Sequence, residues 1–86
     1  MAYTIETAPA VEKQLARLPK DIASRLADAI ERLAVNPFPP GSKPLRGAEK
    51  GAYRIRIGDY RVVYEVYRKR LVVLVIKVGN RRDVYR

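Results

Sequence analysis

The chain of 86 residues contains no cysteine, no histidine and no tryptophan. Without cysteine it can form neither a disulfide nor a thiolate metal site, which suits a reducing compartment. Without histidine it lacks the commonest general base and the commonest metal ligand. Because no acidic residues show the spacing of a catalytic carboxylate pair or a metal site, we expect neither a metal nor any other cofactor.

Long hydrophobic segments are absent as well. The longest aliphatic run, Leu71 to Ile76, is far shorter than the ~20 residues that a membrane-spanning helix needs. The N-terminus has neither the basic nor the apolar region of a signal peptide. We therefore expect a cytoplasmic protein with no membrane partner, folded as a single domain over residues 1–86.

Acidic residues are scarce in the second part of the chain. Residues 1–36 carry five basic and five acidic side chains, whereas residues 37–86 carry thirteen basic and four acidic ones. The whole net charge of +9 therefore lies after residue 36. Such a one-sided field favours a polyanionic partner, nucleic acid before an acidic protein or a membrane surface. The alternative is that the charge serves solubility alone.

The first part of the chain predicts two short amphipathic helices. Thr7 can cap the first helix with Pro9 near its start, and Pro19 ends it. Asp21 can cap the second helix, which Asn36-Pro37 stops. Apolar residues recur at helical spacing in both: Val11, Leu15 and Leu18 in the first, and Ile22, Leu26, Ile30 and Leu33 in the second.

Strands are expected at residues 3–6, as an edge, and at 53–57, 60–67 and 71–78, after a connection rich in proline and glycine. The last strand is apolar on both sides, so we expect it to be central and best buried. The sequence thus predicts an α+β fold, with an N-terminal helical hairpin packed on one face of a small twisted antiparallel β-sheet.

The segment YRIRIGDYRVVYEV, residues 53–66, reads as a β-hairpin. If Gly58-Asp59 is a two-residue turn, although Asp-Gly is the stronger order, Arg56 stands opposite Arg61 and Arg54 shares their face. Like charges directly opposite each other weaken a sheet, so this pattern indicates a face made to hold an anion. We expect the apolar face to pack on the helices and the arginine face to stay open. The partner of Arg61 on the last strand is left open, because two registers fit.

Arginine clusters suit phosphodiester chemistry. The guanidinium fork matches phosphate oxygens, and preorganised donors can stabilise a phosphorane. RNA supplies its own nucleophile, the 2′-OH, and a tyrosine can stack on a base or take part in proton transfer. Spacing alone favours RNA or DNA binding without catalysis over metal-free RNA cleavage.

Three segments, LRGAEKGAYRIRIGDYRVVYEV, LVVLVIKVG and RRDVY, resemble the RelE-type toxins of the RelE/ParE superfamily. The resemblance covers essentially the whole chain and implies a RelE/ParE-like, microbial RNase-like fold. It implies a toxin of a type II toxin–antitoxin module that cleaves mRNA in the ribosomal A site by 2′-OH transesterification, without a metal. The implied partners are a RelB-like antitoxin, mRNA on the ribosome and ribosomal RNA.

The same resemblance implies residue roles. Arg61 corresponds to the residue that contacts the scissile phosphate, Arg81 to one that assists the leaving group, and Tyr85 to one that stacks on the base. Arg54 and Arg56 stand where the best-known members have lysine. Since arginine in effect does not exchange protons, these two should supply electrostatics only.

The basic residues near this set are expected to contact RNA: Lys43, Arg46 and Arg82. Arg46 has the alternative role of hydrogen-bonding carbonyls of its own loop. The tail before Tyr85 is shorter than in the family, so either Arg81 or Arg82 can fill the catalytic position.

Two other functions remain open. One is a ParE-like inhibitor of DNA gyrase with the same fold and no chemistry of its own. The other is a catalytically weak member that binds only RNA or its antitoxin. This alternative stays open because Arg54 and Arg56 stand where the best-known members have lysine.

Overall fold

The computed structural model describes residues 2–45 and 51–80. Its elements, in chain order, are β1 (Thr4–Thr7), α1 (Pro9–Ala16), α2 (Lys20–Arg32), β2 (Lys43–Pro44), β3 (Ala52–Ile57), β4 (Tyr60–Tyr67) and β5 (Val72–Asn80). The strands form one five-stranded sheet in the order β1-β5-β4-β3-β2. The predicted α+β class is confirmed. The sheet is mixed and not purely antiparallel, because β1 runs parallel to β5.

The helix starts differ from the predicted caps. Thr7 ends β1, and the extended residue Ala8 precedes α1, which begins with Pro9. Pro19 precedes α2, so Asp21 lies in the first turn of the helix, where its carboxylate complements the helix dipole. Neither helix has a side-chain cap hydrogen bond. Pro9 begins α1, as predicted, and Pro19 directly precedes α2, so proline with its fixed φ marks both helix starts, and the predicted caps Thr7 and Asp21 do not.

The core lies between the helices and one face of the sheet, as predicted. It contains Val11, Leu26, Ile30 and Leu33 from the helical part, and Ile55, Val62, Tyr64, Val73, Val75 and Val78 from the strands. β4 is the central strand, and its residues 61–64 are all buried. The prediction that the last strand is central was wrong, because β1 pairs with β5 and β2 extends the sheet beyond β3.

The hairpin between β3 and β4 has the predicted two-residue turn. Gly58 has a φ of 60°, whereas Asp59 is not among the residues with positive φ. A positive φ at the first central position alone is the mark of a type II′ turn, which favours glycine there. The order Gly-Asp is therefore the suitable one for this turn, and Asp-Gly is not.

A β-bulge interrupts the pairing of β4 with β5. Val63 pairs with Lys77 and Tyr64 with Val75, so Ile76 is an extra residue without a partner on β4. Beyond the bulge, Val62 pairs with Val78 and the ladder continues to Asn80.

Helix α1 holds β5 in place beyond this bulge. The amide N–H of Val78 donates to Gln14 Oε1 at 2.8 Å. β1 pairs with β5 only as far as Val75, so the Gln14 side chain satisfies an edge amide that has no strand partner. In the part of the chain that the structure describes, no helix is long and apolar enough to span a membrane.

Candidate active site

The sheet face turned away from the helices carries basic residues in two neighbouring rows, which we call the cationic face. One row crosses the sheet as Arg56, Arg61 and Gly79. The next row crosses it as Lys43, Arg54, Val63 and Lys77. Directly paired residues lie on the same side of a sheet, so these side chains share one face. The predicted grouping of Arg54, Arg56 and Arg61 is confirmed, Lys43 adjoins it, and the partner of Arg61 on β5 is Gly79.

Burial is graded across this face. Arg56 is exposed and Arg54 is half-buried, but Arg61 is only 2% exposed. The expectation of a fully open arginine face was therefore wrong for Arg61, because it lies on the central strand between paired residues on both sides. Holding a cation there is costly unless its environment compensates it. A sheet built for stability alone would place an apolar side chain at this position.

Arg56 and Arg61 stand directly opposite each other on adjacent strands. Side chains so paired have Cβ atoms about 4.5–5.5 Å apart, and two like charges at that distance repel. An anion bound between them would relieve the repulsion. Two guanidinium groups can supply several N–H donors to phosphate oxygens in bidentate geometry.

Lys77 belongs to this face, and sequence reasoning missed it. Simple alternation from Val73 and Val75 would point Lys77 into the core and Val78 out of it. The bulge at Ile76 reverses that order, so Val78 is 2% exposed in the core and Lys77 lies in the row of Arg54. The available signal was the lysine itself, a charged residue at a position that regular alternation assigns to the core.

Acidic side chains are few around this face. Glu65 follows Val63 on the same side of β4, and its Oε1 accepts a hydrogen bond from the Tyr67 hydroxyl at 2.6 Å. Within residues 2–45 and 51–80, no three Cys, Asp or Glu residues cluster as metal ligands would. Among the described residues, basic side chains therefore dominate this face, and it is suited to binding anions.

Tyr64 is unsuited to proton transfer at neutral pH. Its hydroxyl donates to the backbone oxygen of Pro37 at 2.7 Å on the helix-covered side of the sheet. Burial raises the pKa of Tyr64 to about 12. Its ring stacks on Tyr53, which makes a T-shaped contact with Phe38, so Tyr64 belongs to the core and Tyr53 packs against it.

Four predicted site residues lie outside the described residues: Arg46, Arg81, Arg82 and Tyr85. The last described residue, Asn80, ends β5 opposite Tyr60, directly after the row that contains Arg61. The expectation that β5 returns the chain to the level of Arg61 is confirmed.

Known families and structures match this architecture. The sequence model of the family described as ParE toxin of the type II toxin–antitoxin system parDE matches residues 5–85. The toxin RelG of Mycobacterium tuberculosis is 31% identical over 87 residues, covering 100% of this chain and 99% of that protein. The chain therefore belongs to the RelE/ParE superfamily of toxins from type II toxin–antitoxin systems.

Solved structures place it more narrowly. The toxin–antitoxin complex RelBE2 of Mycobacterium tuberculosis contains a similar chain with a TM-score of 0.84, 26% identity, and coverage of 94% of this chain and 93% of that one. The archaeal RelE–RelB complex of Pyrococcus horikoshii gives a TM-score of 0.82, 33% identity, and coverage of 94% and 97%. The protein is a RelE-type toxin of that superfamily.

Proposed function

We propose that this toxin is a ribosome-dependent endoribonuclease that cleaves mRNA in the ribosomal A site without a metal ion. The observation that carries the proposal is the buried Arg61, held opposite Arg56 on a face whose described members are mostly cations. RNA is the polyanion that carries its own nucleophile, so a protein without histidine or cysteine can still promote its cleavage.

The proposed reaction is an in-line transesterification. The 2′-oxygen attacks the adjacent phosphorus and loses its proton to water, and the bond from phosphorus to the 5′-oxygen breaks. The products are a 2′,3′-cyclic phosphate, which water can open to a 3′-phosphate, and a 5′-OH, formed when the leaving 5′-oxygen takes up a proton from water. Arg61 and Arg56 would bind the phosphate oxygens and stabilise the charge that develops on them.

The remaining residues take the roles that the family resemblance implies. Tyr85 would stack on the base and help to activate the 2′-OH, and Arg81 or Arg82 would neutralise the charge on the leaving oxygen. Arg54 contributes charge beside Arg56 and does not exchange protons. Lys43 and Arg46 would contact the RNA beyond the scissile bond.

The proposed protein partner is a RelB-like antitoxin. The complexes from Mycobacterium tuberculosis and Pyrococcus horikoshii contain such a partner bound to a chain of this fold. The net charge of +9 would favour an acidic segment on that partner. An antitoxin of this kind would suppress cleavage, and the site of action on the ribosome implies a cytoplasmic protein.

Cleavage mapping in a reconstituted translation reaction tests the nuclease. We expect cuts confined to the A-site codon by the wild type, and their loss or strong reduction in Arg61→Ala and Arg81→Ala. Lys69→Ala is the matched control, because it removes one positive charge from an exposed turn at the other end of β4.

The alternative functions predict different results when the same purified protein is assayed. The family model that matches the chain is that of the ParE toxins. This match makes inhibition of DNA gyrase, the ParE-like activity, the second candidate function. If the folded wild-type protein cuts no mRNA at any ribosome concentration, the nuclease is excluded. Inhibition of DNA supercoiling by gyrase, unaffected by Arg61→Ala, would then support the ParE-like activity. Binding of RNA or antitoxin alone would support the catalytically weak member.

A further inference from the structure

We infer that Lys77 is a phosphate-binding residue of the same site, contacting the RNA backbone next to the phosphate held by Arg61. The inference rests on the proposed function and adds a residue to it. Its basis is the pairing of β4 with β5, which places Lys77 opposite Val63 and Gly79 opposite Arg61.

The bulge brings Lys77 to this position. On β5, Lys77 and Gly79 are two residues apart on one face, a separation of about 6.8 Å along an antiparallel strand. Lys77 is therefore a diagonal neighbour of Arg61, and diagonal neighbours lie within reach of long side chains. Gly79, directly beside Arg61, has no side chain to stand between the two cations.

The Lys77 ammonium is available to bind a ligand. Within residues 2–45 and 51–80, Lys77 forms no ion pair. Glu65, the only carboxylate on β4, already accepts the Tyr67 hydroxyl. Val63 separates Lys77 from Arg54 in the row, and the diagonal neighbours of Lys77 on β4 are Arg61 on one side and Glu65 on the other.

The protein also holds this part of β5 in a fixed geometry. The Val78 amide, next to Lys77 in the chain, is bound by Gln14 from helix α1 at 2.8 Å. The unpaired Ile76 lies on the other side of Lys77. A bulge that re-aims one side chain is a common device beside functional sites.

The chemistry required of the ligand is that of a flexible polyanion with neighbouring phosphates. Arg56 and Arg61 occupy one row and Lys77 the next, so one phosphate would contact the arginine pair and an adjoining phosphate the lysine. Single-stranded RNA meets this requirement, since its backbone can follow a positively charged surface.

Cleavage rates of Lys77→Gln and Lys77→Arg, measured in the reconstituted translation reaction, test the inference. Gln keeps much of the side-chain length and removes the charge, so we expect a rate about tenfold lower, as for loss of one charge-assisted hydrogen bond. Arg keeps the charge and should restore most of the rate. Lys69→Gln is the control and should cleave as the wild type does, and thermal unfolding should show all variants folded.

A second readout separates binding from chemistry. A short single-stranded RNA with 2′-O-methyl groups cannot be cleaved by transesterification, and its affinity can be measured over a range of salt. Loss of one phosphate contact should lower the slope of log K against log salt by about 0.7 in Lys77→Gln. The same slope should be unchanged in Lys69→Gln.

The outcomes separate this inference from the proposed function. If the wild type cuts no mRNA, both are overturned. If the wild type cuts, Arg61→Ala does not, and Lys77→Gln equals the wild type in rate and salt slope, only the role of Lys77 is overturned. If Lys77→Arg cleaves as slowly as Lys77→Gln, the inference that the charge of Lys77 binds an RNA phosphate is likewise overturned.

Discussion

The helix-covered face of the sheet and its cationic face are made by the same strands but contribute differently to the molecule. On β4, Val62 and Tyr64 are fully buried against the helices, and their neighbours are apolar. On the other side of the same strand, Arg61 stands opposite Arg56. One face supplies the apolar burial that stabilises the fold, which leaves the other face able to hold charges that a stable sheet would not select.

The largest effect on stability should come from the helix-covered face. Leu26 is fully buried in α2, and Leu26→Ala should lower the free energy of unfolding by about 2–5 kcal/mol. Chemical denaturation measures this change. Val35→Ala is the control, since Val35 is 80% exposed and its truncation should change little. Equal effects of the two substitutions would contradict the proposed location of the core.

The largest effect on activity should come from the cationic face. Arg61→Met replaces the buried cation by an apolar side chain of similar length, and cleavage should fall by roughly 10²–10³-fold. The loss of unfolding free energy should be smaller than in Leu26→Ala, because Met can fill the same space. A variant that unfolds as readily as Leu26→Ala would show that Arg61 is chiefly structural.

Tyr64 gives an intermediate, pH-dependent effect. Tyr64→Phe loses the hydrogen bond to Pro37, which should cost about 0.5–1.5 kcal/mol at pH 7. The pKa is raised from 10.0 to about 12 in the folded protein, so the unfolded chain releases the phenolic proton first. Wild-type stability should therefore fall between pH 10 and 12, by up to about 2.7 kcal/mol, through this group.

Urea unfolding of both proteins at pH 7 and pH 11 measures this difference. Other tyrosines and lysines titrate in both proteins and largely cancel in the comparison. The stability advantage of the wild type at pH 7 should shrink or reverse at pH 11. An advantage that is constant with pH would show that Tyr64 ionises as readily in the folded protein as in the unfolded chain.

The smallest effect should have the opposite sign. Arg56→Gln removes one member of the opposed arginine pair and should raise the free energy of unfolding by about 0.2–1 kcal/mol while lowering cleavage. The gain should diminish in high salt, which screens exposed charges. Lys69→Gln provides the comparison for general charge reduction. A stability loss in Arg56→Gln would mean that the pair is not repulsive in the free protein.

Regular patterns were readable from the sequence, and departures from regularity were not. The alternation in residues 53–57 and 60–67 predicted the opposition of Arg56 and Arg61, because a two-residue turn leaves one register. The helix faces followed from their spacing. Lys77 was missed because one extra residue, Ile76, changes the face of everything after it, and that insertion depends on pairing with another strand.

Two further features depended on tertiary structure. Burial of Arg61 follows from the central place of β4, which is set by strand order and not by the composition of the strand. The parallel pairing of β1 with β5 joins segments from the two ends of the chain, for which local sequence carries no signal. The predicted roles of Arg46, Arg81, Arg82 and Tyr85 stay predictions.

The pairing of β1 with β5 also determines when, during synthesis of the chain, the complete sheet can form. Thr4 pairs with Val72, so the first strand has no partner in the sheet until the chain has been made at least as far as residue 72. At about 5–20 residues per second, synthesis of the intervening segment takes roughly 3–14 s. During those seconds β5 is missing, and even after Arg61 has been made it lacks Gly79 and Lys77 beside it. A chain synthesised only as far as β4 therefore has an incomplete sheet and an incomplete cationic face, so full toxicity should begin only after β5 has been made.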